Sequence, residues 1–336
     1  MFAAKDNAVT RFILRRLAIL PLALLVINFI SFAYATLAQR VQQAQNPFGA
    51  APEPVPIFTL YLEYLRGLLR GDLGAMPTQW QEPILGVVAQ AAIASLGLFL
   101  LAFAISASLG VLLGMLATRR DLTGVASWML PLSAVGLAAP GFLIAAAGIA
   151  LLLTTYLSSG PEGGFPIPIQ GYGWDSHLIL PLLALVAAPS ARIARTVSGT
   201  LADELQKQHV VAARSLGIAM RRIRRKHALR NVLPAVILVM AGSTRLLVSE
   251  LILVEWIFGW PGLGRLLAFA LIPPNVASAS GLIGAKDHFL DPELIAAVLT
   301  GFGLLFIVVD GMASILVYLV DPRLRAQEHQ HEHHQG

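Results

Sequence analysis

Apolar residues along this chain come in long unbroken runs, with little of the alternation that marks half-buried strands. A helix needs roughly 20 apolar residues to cross about 30 Å of hydrocarbon, and six runs meet that length. They are Arg11 to Ala38, Ile84 to Ala117, a stretch within Val125 to Leu157, another within His177 to Ala194, Val232 to Phe258, and about Leu294 to Val320. Only a helix or a closed barrel satisfies its backbone hydrogen bonds in lipid, and unbroken runs of this length select the helix. The expected fold class is therefore all-α, a polytopic membrane protein with six transmembrane helices. The second run is longer than one crossing, so an end projects or tilts. Pro21, Pro131, Pro140 and Pro181 fall inside runs and predict kinks. The first run is too long for a secretory signal and no small-residue cleavage site follows it, so it is expected to be retained.

The segments between runs complete the organisation. Residues 1–38 form an N-terminal segment and first span, and 39–83 an outer loop. Residues 84–320 carry five further spans, and 321–336 a tail. The outer loop holds "NPFGAAPEPVP" and then Phe58 to Leu69, which reads as a short amphipathic helix at headgroup level. Ser158 to Ser176 is loop by its Gly and Pro content. Gly259 to Pro292 contains "GWPGLGRLLAFALIPPN" and is long enough for a helix that docks a partner.

One large feature remains, between the fourth and fifth runs at about 197–231. Leu205, His209, Ala212 and Leu216 recur at helical spacing and predict one helix from about Ala202 to Leu216. Thr200 with Asp203 offers a capping box at its start, and Gly217 stops it where a left-handed residue is wanted. A second helix from Met220 leads into the fifth run. At the chain's end, His329, His331, His333 and His334 sit in a polar tail where disorder is expected rather than a metal site.

Composition agrees with a lipid setting: 56% of residues are hydrophobic and 13% charged, about half the charge of a soluble domain. Mean hydropathy is +0.71. Charge then sets orientation. Lys5, Arg11, Arg15, Arg16, Arg119, Arg120, the basic residues from Arg192 to Arg230, Arg323 and Arg325 all fall on one side of a six-span layout. Arg40, Arg66, Arg70, Arg265 and Lys286 fall on the other, and Arg245 lies within the fifth span. The positive-inside rule puts both termini in the cytoplasm. It also accounts for the basic stretch "RRIRRKHALR" without any nucleic-acid partner. There is no cysteine, so disulfides and thiolate metal sites are excluded.

The chain lacks a G-x-x-x-x-G-K-[ST] phosphate loop, an H-E-x-x-H pair and a G-x-S-x-G elbow. No catalytic role, bound cofactor or metal is expected of it, and energy must come from a partner or an ion gradient. Four ionisable residues, Arg245, Glu250, Glu255 and Asp310, fall in or near the last two spans. Such residues either line a pathway or pair to set packing. Arg245 and Glu250 are five apart and do not stack on one face. Asn28 and Gln90 are weaker candidates, and either side chain suits an interhelical hydrogen bond. An ion-coupled secondary transporter is the rival class, but such carriers usually show two similar halves, which this sequence does not.

Taken together, several motifs resemble one family. Ala212-Ala213, three residues, Gly217 and then "RRIRRKHALRN" are similar to the Glu-Ala-Ala loop of ATP-binding-cassette importer permeases. "GDLG" (Gly71 to Gly74), "HLILPLLAL" (His177 to Leu185), "VEWIFGWPGLGRLL" (Val254 to Leu267) and "DPRLR" (Asp321 to Arg325) follow in order over nearly the whole chain. The detailed form is similar to the first-permease subfamily of the dipeptide/oligopeptide/nickel branch, with the type I importer fold. Two positions depart: Val211 stands where the loop has its glutamate, and Arg230 where many permeases have proline.

The resemblance implies a permease subunit in the bacterial cytoplasmic (inner) membrane, forming half of a pathway for peptides, with nickel or another small solute as the alternative cargo. It implies a coupling helix that seats on a cytoplasmic ATPase through Leu205, His209, Val211, Ala212, Ala213, Leu216 and Gly217. It further implies a second homologous permease, two ATPase subunits that carry ATP and magnesium, and an extracytoplasmic substrate-binding protein.

Overall fold

The computed structural model describes residues 2–45, 55–75, 82–119, 124–159, 167–223, 228–273 and 289–320. The histidine-bearing tail, "DPRLR" and residues 224–227 of the basic stretch lie outside them. The described elements are helical: α1 (Phe2–Gln45), α2 (Ile57–Arg70), α3 (Ile84–Ala117), α4 (Met129–Ala138), α5 (Gly141–Ser159), α6 (Ile179–Leu205), α7 (Gln208–Ser215), α8 (Met220–Arg222), α9 (Leu229–Phe258), α10 (Leu263–Leu271) and α11 (Pro292–Val320). Six helices are long and apolar enough to cross a membrane, and they fall on the six runs. The chain is an all-α polytopic membrane protein.

The proline expectations need correcting. Pro131 and Pro181 sit in the first turns of α4 and α6, where the missing N–H has no helical acceptor in any case. Pro140 separates α4 from α5, so the third run is two helices rather than one kinked one. Among the described residues, the prolines past the first turn of a helix are Pro21, Pro189 and Pro234.

The contacts divide the chain into two compact units. The first comprises Met1–Gly97 and Gly259–Ile307. There α2 lays Tyr61 and Tyr64 against α1, with the Tyr61 ring 4.9 Å from Phe29 and the Tyr64 ring 5.0 Å from Phe32. Phe58 and Leu69 of the same helix are exposed. Asn28 of α1 donates to Tyr64 Oη at 3.0 Å and to Thr300 Oγ1 at 2.9 Å, which ties α1 to both α2 and α11. Gln90 is exposed on α3. The segment "GWPGLGRLL" is anchored by its own chain: Trp260 is fully buried and donates to the Ala94 carbonyl at 3.1 Å, and the Leu263 N–H donates to Ser95 Oγ at 2.9 Å. α10 thus buries Leu263, Gly264, Leu267 and Ala270 within this unit.

The second unit comprises Leu98–Phe258 and Val308–Gly336. α6 is its centre and packs on α9, α4 and α5. Ile193, Val197, Leu201 and Leu205 recur every four residues and form one stripe into a core shared with Val232 and Val236 of α9. Gly110 and Gly114 let α3 approach that stripe closely, since an added Cβ would lie 2.6 Å from Ile193 Cβ and from Val197 Cβ. This is small-residue packing at four-residue spacing. The loop before α6 is held at Gln170 and Gly171, which donate to the Ile257 and Phe258 carbonyls at 2.9 Å each. In the same loop His177 sits 2.6 Å from Asp175 and holds that carboxyl below the usual carboxylate range.

Candidate functional site

The single helix expected from Ala202 to Leu216 is two helices. α6 runs on to Leu205, the chain bends at Gln206 and Lys207, and α7 begins at Gln208. Thr200 lies inside α6 and its hydroxyl donates to the Thr196 carbonyl at 2.7 Å, so the capping box does not form. The bend has an identifiable cause in Glu204, which is 5% exposed. Its Oε1 accepts from Asn231 Nδ2 at 2.7 Å and lies 3.4 Å from His209 Nε2, while Lys207 Nζ reaches Oε2 at 2.5 Å. A buried carboxylate is stable only when so compensated. One side chain therefore links the end of α6, the bend, α7 and the start of α9.

α7 has an inner and an outer side. Val210 is fully buried among Leu201, Leu205, Ile223, Ala228 and Val232. Val211 is 55% exposed and Leu216 80%, and Ala212 and Ser215 are also exposed. Positions 211, 212, 215 and 216 share one helical face, so α7 presents a mostly apolar strip outward. Leu205 belongs to the interior at 1% exposure and is not part of that strip. His209 is half exposed beside Glu204, and Ala213 is half-buried.

α7 ends as the glycine predicts. Gly217 has φ +76°, its N–H donates to the Arg214 carbonyl at 2.9 Å, and the Ile218 N–H donates to the Ala213 carbonyl at 3.2 Å. That is the Schellman pattern, which requires a left-handed residue.

The four intramembrane charges do not form one cluster. Arg245 Nε and Nη2 donate to Asp310 Oδ1 at 2.9 and 2.8 Å, which joins α9 to α11. The Arg245 side chain is 63% exposed and that of Asp310 19%. Glu250 is directed elsewhere: its Oε1 accepts from the Gly141 N–H at 3.4 Å, at the first residue of α5. A carboxylate there satisfies a free N–H and the positive end of the helix dipole. It locks the break that Pro140 creates. Glu255 is fully buried near the end of α9. Of the four, only the Arg245–Asp310 pair presents charge at the unit's surface.

Sequence reasoning missed Glu204 and Asn231, because their partnership spans 27 residues and neither sits in an apolar run. It also missed the Gly110 and Gly114 contact, for which the four-residue glycine spacing inside a span was a readable signal.

Comparisons with known proteins extend this picture. Residues 110–326, which contain α7 and all four intramembrane charges, match the model of the family described as binding-protein-dependent transport system inner membrane component. The chain is 28% identical over 270 residues to the oligopeptide transport system permease protein OppB of Haemophilus influenzae, covering 80% of this chain and 81% of that protein. It is 29% identical over 276 residues to the dipeptide transport system permease protein DppB of Lactococcus lactis subsp. cremoris, covering 80% and 81%. A putative peptide transport system permease protein of Brucella abortus is 27% identical over 289 residues, covering 82% of this chain and 86% of that protein.

Proposed function

The chain belongs to the binding-protein-dependent transport system inner membrane component family, and from that premise we propose that it forms half of the pathway of an ATP-driven peptide importer. Its place as a multi-pass permease subunit of an ATP-binding-cassette system follows from the family and the six spans. The peptide cargo is supported by the relatives, which are named as oligopeptide and dipeptide permeases. A second homologous permease supplies the other half of the pathway. Two ATPase subunits carry ATP and magnesium, and an extracytoplasmic binding protein delivers cargo. Both termini and α7 face the cytoplasm, where the basic residues gather.

The observation that carries this reading is the outer strip of α7. Val211, Ala212 and Leu216 stand exposed on a helix that Val210 and the Glu204 contacts fix in place. An ordered apolar strip outside the spans serves a partner, and small Ala212 lets that partner approach closely. Arg245 and Asp310 mark the pathway side of α9 and α11, because exposed charge within a span faces water or protein rather than lipid. Leu205 and Glu250 act on packing.

The test is to express the chain with its neighbouring transport genes, purify the complex through this subunit and assay ATP hydrolysis with peptide-loaded binding protein. Copurifying ATPase that is stimulated by di- or tripeptides is the expected result. Stimulation by nickel alone, or uptake driven by an ion gradient without ATP, refutes the peptide importer.

A further inference from the structure

Arg245 lies near the middle of α9 (Leu229–Phe258) and Asp310 lies well inside α11 (Pro292–Val320). Both helices are otherwise apolar along most of their length. The guanidinium uses two donors, and both fall on the same oxygen, Oδ1 of Asp310. A side-by-side bidentate pair would instead engage both carboxylate oxygens. Five donors are available in the fork, and among the described residues Arg245 makes no further hydrogen bond. Its side chain remains 63% exposed. Ser249, one turn further along the same face of α9, is exposed too, and Leu253 follows it at 47%. An open guanidinium edge at this depth is a donor array awaiting an acceptor.

We propose that this open edge of Arg245 is a binding site for the carboxylate of a peptide in transit. The site rests on the reading that this chain lines a peptide pathway, and it adds the recognising group and the chemistry recognised. Arg matches a carboxylate geometrically through parallel N–H donors. Asp310 holds the fork from one side and offsets part of its charge, so the cargo carboxylate is held without being trapped. A pathway needs that balance, since a site must be attractive enough to enter and weak enough to leave.

The absence of native cysteine permits a direct test. Ser249→Cys places a single thiol on this chain one turn from Arg245. In membrane vesicles holding the assembled importer, its labelling is compared for two methanethiosulfonates of similar size, one sulfonated and one a quaternary ammonium. Rates are normalised to a free small thiol. Both reagents are expected to react, with the anionic one favoured severalfold, since the guanidinium's open edge faces the thiol while Asp310 offsets part of its charge. Arg245→Gln leaves the Asp310 carboxylate without its counter-charge and is expected to bring that ratio to one or below. Ala-Ala is expected to slow labelling, and the same concentration of Ala-Ala-amide is not.

Labelling by both reagents with a ratio that Arg245→Gln leaves unchanged, or equal protection by Ala-Ala-amide, overturns the carboxylate site and leaves the pathway reading standing. Failure of both charged reagents, with labelling by an uncharged membrane-permeant maleimide, places this face against lipid or a dry contact and overturns the pathway reading as well. Leu253→Cys, on the next turn, serves if Ser249→Cys fails to assemble.

Discussion

Asn231 Nδ2 donates to Glu204 Oε1 across 2.7 Å, and this bond joins the end of one membrane helix to the start of another. The 26 residues between them include α7 and its bend, so the bond closes the loop that presents the helix. Glu204 is the buried partner and Asn231 the exposed one. Loss of the carboxylate therefore leaves Lys207, His209 and Asn231 without their shared acceptor. Glu204→Ala is expected to cost about 1–3 kcal/mol locally and to loosen the bend. Limited trypsin digestion in detergent reads this out as faster cleavage after Lys207 than in the parent chain. Unchanged cleavage contradicts the role given to Glu204.

Gly217 offers a separate test of α7. Its φ is +76° and an added Cβ would meet open space, so any effect of substitution is conformational rather than steric. Gly217→Val is expected to cost about 1–2 kcal/mol, the usual cost of an L-residue in the left-handed region. Asn tolerates that region, so Gly217→Asn is expected to lose markedly less. The measurement is ATPase retained per permease after detergent extraction. Equal loss in both variants contradicts the backbone argument.

The third span depends on a contact 109 residues distant in sequence. At Gly141 an added Cβ would lie 2.7 Å from Glu250 Oε2 and 3.1 Å from the Ala184 carbonyl. Gly141→Ala is expected to destabilise by about 1–3 kcal/mol through overpacking. Glu250→Ala costs about 0.5–2 kcal/mol through the lost helix cap. Removing Glu250 also removes one of the two clashes, so the double variant is expected to cost less than the sum. Unfolding of the detergent-solubilised protein measures all three, and strict additivity contradicts the contact.

Orientation is tested by Gln208→Cys and Ser158→Cys, both at exposed positions in a chain without cysteine. A membrane-impermeant thiol reagent applied to intact cells is expected to label position 158 and to spare position 208. The reverse pattern inverts the topology.

The number of spans was legible because bilayer thickness sets the length of each run directly. The places where helices end within those runs were less so. Pro140 signalled a disturbance in the third run, but the carboxylate that caps the new helix comes from Glu250, far along the chain. α7 was half legible. Gly217 marked its end, since only local geometry is needed there. Its start was misplaced because Leu205 continues the stripe of Ile193, Val197 and Leu201 while also standing in register with His209, Ala212 and Leu216. Periodicity cannot see a bend between two helices whose patterns happen to join. The bend at Gln206 and Lys207 is set by Glu204 and its distant partner Asn231. Likewise the four intramembrane charges were visible as residues, but their sorting into an exposed pair, a helix cap and a buried group depends on packing.

The proposed function has the ATPase grip this subunit at the outer strip of α7, and Ala212→Trp tests that grip most directly. Ala212 is exposed on that strip, so the substitution leaves the chain's own core untouched. Overpacking a fitted contact costs about 1–3 kcal/mol, and each 1.4 kcal/mol is about a tenfold change in affinity. Membrane levels of the variant are expected to equal those of the parent, with ATPase recovered per permease down by about tenfold and peptide uptake falling with it. Full ATPase recovery together with full uptake would show that α7 is only a connector between two spans.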